Sequence, residues 1–230
     1  MLGSMAKRQQ KCNFDNFDNT PDAKEAIKAC QEWVESYKQG ETDGLILTGP
    51  KGTGKTHLLA AMCNQLSKSE YYWAPVSEFL SSLQPDSAIQ ELRKKAINCW
   101  TSCYGRCGSM GYKSTGGSLP ITCQQCPGIA GDPMERAMSA KVLVLDDLGT
   151  RANNERTDWV QDRIFALINY RYDEQLPVLV STNYSLAELA DRLGHERIVS
   201  RLIEMCRIVK IEGDDYRIGL RMEKNAKGAL

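Results

Sequence analysis

The sequence predicts an α/β fold in which a parallel sheet is covered by helices on both faces. Short apolar runs alternate along the chain with segments whose apolar residues repeat at helical spacing, as in doubly wound sheets. In the run at 141–145 every residue after Lys141 is apolar, which is typical of a strand buried on both faces. With 230 residues, 42% of them hydrophobic and 25% charged, the chain fits one soluble domain with additions.

Five short apolar or aromatic runs are long enough for strands and too short for helices. They lie at residues 44–48, 71–76, 141–145, 176–181 and 208–211. Between them, apolar residues recur at helical spacing in segments 20–39, 58–66, 160–168 and 186–204. Thr20 and Pro21 begin the first helix as a capping hydroxyl and a proline at the first helical position, and Gly40 ends it. Gly194 interrupts the last helix.

A phosphate-binding loop follows the first predicted strand and opens the next helix. It matches G-x-x-x-x-G-K-[ST] at every position: Gly49, Pro50, Lys51, Gly52, Thr53, Gly54, Lys55 and Thr56, with His57 directly after them. The glycines let backbone N–H groups surround phosphates, and the helix N-terminus adds positive potential. We expect Lys55 to reach the β- and γ-phosphates of ATP and Thr56 to ligate Mg²⁺. His57 is expected to pack or cap beside the loop.

Polar side chains follow two further strands at the carboxyl edge of the predicted sheet. We assign Asp146 to Mg²⁺ and Asp147 to the attacking water, which it would orient or deprotonate. The alternative is that these acids only cap the end of the strand. Asn183 would hold the water or sense the γ-phosphate, and its alternative is a turn-forming asparagine.

These elements, in this order, resemble Walker A, Walker B and sensor 1 of AAA+ ATPases. The segments around Gly54, Asp146 and Ser200-Arg201-Leu202, and the ending 213–217, are similar to the DnaC/DnaA clade, with IstB proteins nearby. The resemblance covers roughly residues 12–98 and 136–220. It implies a three-layer P-loop sandwich with a five-stranded parallel sheet, spanning 20–220 between a flexible segment 1–19 and a tail 221–230.

By this resemblance Arg201 is an arginine finger that acts on the ATP of a neighbouring subunit. An arginine suits this role because it stays charged and its fork matches phosphate oxygens. The alternative is a surface ion pair with Glu204 at helical spacing. Arg217 is expected to contact nucleotide in the manner of sensor 2, and a structural salt bridge is the alternative.

The resemblance implies a replicative helicase loader that hydrolyses ATP slowly and only when assembled. Its expected partners are further copies of the chain at the ATP interface, a DnaB-type helicase and single-stranded DNA. An IstB-like transposition helper is the first alternative, and a small-molecule P-loop kinase is the second. We expect a cytoplasmic protein without a membrane partner, since the polar start is not a secretory signal and no apolar stretch approaches the roughly 20 residues of a membrane span.

A cysteine-rich insert at 99–134 interrupts the alternation of strands and helices. Cys103, Cys107, Cys123 and Cys126 form two close pairs whose spacing suits a structural Zn²⁺, with Cys99 as an alternative ligand. An iron–sulfur cluster or free thiols are the alternatives. The insert could contact single-stranded DNA, a subunit or the helicase.

The charge balance and the cysteine count give no support to two other classes of protein. Lysine plus arginine equals aspartate plus glutamate at 29 each, so net charge does not predict nucleic-acid binding, which would need a local patch. Nine cysteines, an odd number without an export signal, do not favour a disulfide framework.

Overall fold

The computed structural model describes residues 3–17, 21–83, 133–150, 157–194, 196–213 and 215–216. Over these ranges the chain forms a five-stranded parallel sheet in the order β2-β3-β4-β1-β5. The strands are β1 (Gly44–Thr48), β2 (Tyr71–Pro75), β3 (Val142–Leu148), β4 (Val178–Thr182) and β5 (Cys206–Lys210). The predicted five-stranded parallel sheet is therefore confirmed.

Helices cover both faces of the sheet and complete three layers. The helices are α1 (Pro21–Lys38), α2 (Lys55–Cys63), α3 (Val76–Leu83), α4 (Pro133–Ser139), α5 (Thr157–Asp173), α6 (Leu186–Leu193) and α7 (Glu196–Met205). The first two pack with the buried side chains Leu45, Leu47 and Val144 on one face of the sheet. The other five pack on the opposite face, around Leu143, Leu145 and Val180. None of the helices in the described ranges is long and apolar enough to cross a membrane.

Helices α3 and α4 were not predicted from the sequence, and several other elements begin or end at residues different from those predicted. Helix α3 begins directly after β2 and is only eight residues long, so it offers little periodicity to detect. Strand β3 continues through both acids to Leu148. Strand β5 begins at Cys206, before the predicted run, because Cys206 and Arg207 pair with Gly44 and Leu45 of β1. Pairing with a neighbouring strand sets these ends, and that information is not local.

The N-terminal residues 3–17, expected to be flexible, pack on the domain. Gly3 forms an antiparallel bridge with Trp73 in the middle of β2 and so covers part of that edge strand. Met5 is buried, and Asn64 of the turn after α2 donates to the carbonyls of Gln9 at 3.1 Å and Cys12 at 2.7 Å. Buried apolar surface and satisfied carbonyls hold the segment across α2.

A buried arginine of α5 joins the beginnings of two strands. Arg171 is fully buried, and its guanidinium donates to five carbonyl oxygens, those of Ala137, Met138, Ala140, Lys141 and Pro177. Burial lowers the pKa of Arg171 to about 10. The bonds satisfy carbonyls at the end of α4, which have no partner inside the helix, and hold the chain in place where β3 and β4 begin.

Candidate nucleotide-binding site

The phosphate-binding loop joins β1 to α2 in the described structure, as the motif predicts. Gly49 and Gly54 adopt φ values of 149° and 89°, and Gly54 is the residue that caps α2. A side chain at Gly49 would collide with the carbonyl of Ile211, and one at Gly54 with the ring of Phe17. The loop therefore needs glycine for its conformation and its close packing, and it leads directly into a helix N-terminus suited to anions.

Lys55 is the cation at the centre of this loop. It is only 5% exposed, and its ammonium donates to the carbonyls of Gly49 at 2.8 Å and of Pro50, and to Thr53 Oγ1 at 3.3 Å. These bonds keep a buried charge solvated by the loop itself. A phosphate in the loop would meet this ammonium as a ready counter-charge.

Thr56 and Asp146 meet across 90 residues of sequence. The Thr56 hydroxyl donates to Asp146 Oδ1 at 2.9 Å. Burial raises the pKa of Asp146, the hydrogen bonds from Ser181 and Thr56 act against this, and the neighbouring charge of Asp147 adds to it. A hydroxyl beside a buried carboxylate is a donor set that suits Mg²⁺, so the residues present fit the expected ion.

Asp147 and Asn183 lie together at the exposed side of the same edge. Asn183 Nδ2 donates to Asp147 Oδ1 at 3.3 Å. Asp147 is exposed and has φ 61°, a conformation that few residues other than glycine adopt. The structure thus brings the predicted acids, the asparagine and the loop threonine into one connected group, while their catalytic roles stay predictions.

Ser181 is a member of this group that sequence reasoning missed. Its buried hydroxyl donates to Asp146 Oδ1 at 2.7 Å and accepts the backbone N–H of Asp147 at 2.8 Å. The only local signal was a serine directly after the apolar run Val178–Val180, two residues before Asn183. That signal is weak, because serines in strands also bond to the backbone locally.

Two chain segments border the loop. His57 donates from Nε2 to the Asn13 carbonyl at 3.0 Å and meets the Phe17 ring edge-on, so it packs beside the loop as expected. On another side, the Tyr216 N–H donates to the Gly52 carbonyl at 3.3 Å, and the Asp215 carboxyl lies against Gly52. Residues near both ends of the described chain therefore pack against the loop and the start of its helix.

Arg201 contacts α5 and its own helix. Its guanidinium lies over the rings of Phe165 and Tyr172, 5.3 and 5.5 Å from their centres, and donates to the Arg197 carbonyl at 3.3 Å. Glu204, the alternative ion-pair partner, instead accepts the Tyr172 hydroxyl at 2.7 Å. No salt bridge between Arg201 and Glu204 occurs in the described part of the chain.

Several predicted residues lie outside the described residues. They are Arg217, Cys99, Cys103, Cys107, Cys123 and Cys126. Within the described ranges, no three histidine, cysteine, aspartate or glutamate side chains are placed to hold a metal. Zinc in the insert therefore stays a prediction, while Cys30, Cys63 and Cys206 are buried free thiols in the apolar core.

We expect Asp146→Asn to stabilise the nucleotide-free chain. The raised pKa means that the folded state favours the protonated acid, so stability is greatest below the ordinary pKa of an aspartate and falls as pH rises through the higher folded value. Asparagine keeps an oxygen for the Thr56 and Ser181 hydroxyls without a buried charge. Denaturant unfolding at pH 7 should show a free energy of unfolding about 1 kcal/mol higher than that of the wild type. Gains of this size are typical when a residue kept for function is replaced by one that suits the fold better.

Asp147→Asn is the matched control for this substitution, since the Asp147 side chain is exposed. Asp147→Asn should raise the free energy of unfolding by less than Asp146→Asn does. The stability gained by Asp146→Asn should become smaller as the pH is lowered. An equal gain for both variants, or one that does not depend on pH, would show that burial of Asp146 has no energetic cost.

Two family models match the chain, each over slightly less than half of it. The model described as IstB-like ATP binding protein matches residues 120–225, and the bacterial DnaA ATPase domain matches residues 8–102. Among curated proteins of Bacillus subtilis (strain 168), the chain is 27% identical to phage-like element PBSX protein XkdC over 87% of its length. It is 24% identical to the replicative helicase loader DnaI over 81%. It spans 63% of XkdC and 51% of DnaI, so these relatives are longer.

Solved structures share the fold. A crystal structure of the DnaC helicase loader superimposes with a TM-score of 0.59 at 24% identity, covering 90% of this chain and 100% of that one. A crystal structure of DnaI gives a TM-score of 0.62 at 22% identity, covering 92% and 93%. At such identities the superpositions establish the common fold, and function has to be argued from the site.

Proposed function

Because the chain is a DnaC/IstB-like AAA+ protein, we propose that it is a replication-associated ATPase that assembles with a replicative helicase on single-stranded DNA. The observation that carries this proposal is the group of hydrogen-bonded side chains that joins the loop helix to β3 and β4: Thr56 to Asp146, and Asn183 to Asp147. The similarity to DnaI, a replicative helicase loader, supports a role at the replicative helicase.

In the proposed site each residue has one task. The glycine-rich loop and Lys55 bind the phosphates of ATP, and Thr56 with Asp146 holds the Mg²⁺. The bound ion would offset negative charge on the phosphates. Asp147 and Asn183 orient a water for attack, and Arg201 reaches the ATP of the next subunit, with Arg217 as a second arginine on the nucleotide.

Turnover is proposed to be slow in the free chain and faster on assembly. Arg201 of the free chain lies on Phe165 and Tyr172, and a neighbouring subunit's ATP would offer its guanidinium a stronger charged partner. ATP would thus order the subunit interface, and hydrolysis would release it.

A transposition helper remains a second candidate, favoured by the IstB-like match over residues 120–225. We expect a tagged chain with Mg²⁺ and ATP to retain the replicative helicase of its own genome, and the Lys55→Ala chain to retain much less. Retention of a transposase from the same genome, and not of the helicase, would favour the IstB-like function. Equal helicase retention by both chains would contradict an ATP-dependent loader.

A further inference from the structure

The two acids lie in a β-bulge between β3 and β4. Leu145 pairs with Val180 and Leu148 with Thr182, so Asp146 and Asp147 together stand opposite the single residue Ser181. A bulge of this kind bends the strand and changes the direction of a side chain. Here it coincides with the positive φ of Asp147, so the bulge determines where the second acid points.

A bulge leaves backbone groups without a partner strand group, and side chains replace two of these bonds. The Ser181 hydroxyl accepts the Asp147 N–H at 2.8 Å, and the Thr182 hydroxyl donates to the Leu148 carbonyl at 2.8 Å. Both hydroxyls are buried, where an unpaired amide or carbonyl would be costly.

The Ser181 hydroxyl also determines the position of the first acid. A hydroxyl has one proton to donate and can accept at its lone pairs. Because the Asp147 N–H uses an acceptor position, the proton is free for Asp146 Oδ1, 2.7 Å away. Thr56 donates to the same oxygen from the opposite element, so Asp146 Oδ1 lies between the loop helix and β4.

We propose that Ser181 is a positioning residue that holds both acids in their working geometry, an inference that rests on the proposed ATPase function. It touches neither the phosphates nor the water in this assignment. It acts through the carboxylate of Asp146 and the backbone of Asp147, and loss of a residue that orients a metal ligand in this way typically costs about 10- to 100-fold in metal affinity or activity.

Ser181→Ala removes both bonds, whereas Ser181→Thr keeps the hydroxyl. We expect Ser181→Ala to lower kcat for ATP hydrolysis about 10- to 100-fold. The KM for ATP should change by less than about threefold, because Lys55 and the loop are untouched. Ser181→Thr should recover most of the loss. Ser185→Ala, which removes the capping hydroxyl of α6, is the control for a serine lost to alanine, and it should leave kcat unchanged.

Amide hydrogen exchange gives a readout that does not depend on ATP. The Asp147 amide should exchange about fivefold faster or more in Ser181→Ala, the effect of one lost hydrogen bond, and at the wild-type rate in Ser181→Thr and Ser185→Ala. Unchanged exchange at Asp147, or unchanged kcat despite faster exchange, would overturn the positioning role. A wild-type chain that hydrolyses no ATP even with helicase and single-stranded DNA would contradict the proposed function. The exchange rate at Asp147 would still show whether the Ser181 hydroxyl holds the backbone of the bulge.

Discussion

A Lys55→Ala chain is expected to bind Mg²⁺-ATP about 100-fold more weakly than the wild type and to lose hydrolysis. Lys55 is the buried cation of the phosphate loop, and its ammonium is surrounded by the Gly49 and Pro50 carbonyls and Thr53. Hydrogen bonds to charged groups contribute about 1.5–3 kcal/mol each, so losing the contacts to two phosphates gives an effect of this size. Equilibrium binding of a fluorescent ATP analogue measures it directly.

Lys68→Ala is the matched control, since it removes an exposed lysine beyond the far end of α2. It should bind the analogue as the wild type does, and a thermal melt of each chain shows whether the fold is kept. Near-wild-type binding by Lys55→Ala would contradict the assignment of the loop as the phosphate site. The proposals for Asp146, Asp147 and Asn183 would then lose their basis.

Arg201→Ala is expected to lower assembled-state ATPase activity by about 10³-fold or more, the range known for arginine fingers. Lys55→Ala is expected to be inactive as well, for a different reason, because it lacks the phosphate cation. In a mixture, an Arg201→Ala subunit still offers an intact loop, and a Lys55→Ala subunit still offers an intact finger. If each interface takes its loop from one subunit and its finger from the next, random mixing in equal amounts restores about one quarter of the wild-type sites.

Arg163→Ala is the control for this experiment. Arg163 lies on α5 and stacks over Trp159 at 5.6 Å, much as Arg201 stacks over Phe165, so its loss removes a comparable cation–π contact. Its activity should stay at the wild-type level. A mixture no more active than its two components would show that no site is shared between subunits. Intact turnover by Arg201→Ala alone would favour an enzyme with a self-contained site, such as the small-molecule kinase.

The sequence predicted the elements of the site whose signals are local. The loop motif is contiguous, and its glycines are needed for backbone reasons that hold in any chain with this turn, so residues 49–56 could be assigned without a structure. Asp146 and Asp147 follow an apolar run, and the carboxyl ends of parallel strands share an edge, so their nearness to the loop could also be predicted.

Other features of the molecule had no such signal. Arg171 reads in sequence as an ordinary helix arginine, and only the approach of α4, β3 and β4 surrounds it with five carbonyls. Residues 3–17 are polar on average, and their packing depends on a few contacts such as Met5 and the Gln9 and Cys12 carbonyls. Composition averages over such contacts and therefore cannot predict them.

By itself, the sequence determined the fold class, the phosphate loop and the identity of the acids, because periodicity and contiguous motifs express short-range chemistry. Only the tertiary structure decided the strand order and the bulge that sets two acids against Ser181. The same holds for the aromatic contacts of Arg201. The physical reason is that strand register and side-chain contacts between distant elements result from packing the whole domain, and no single segment encodes them.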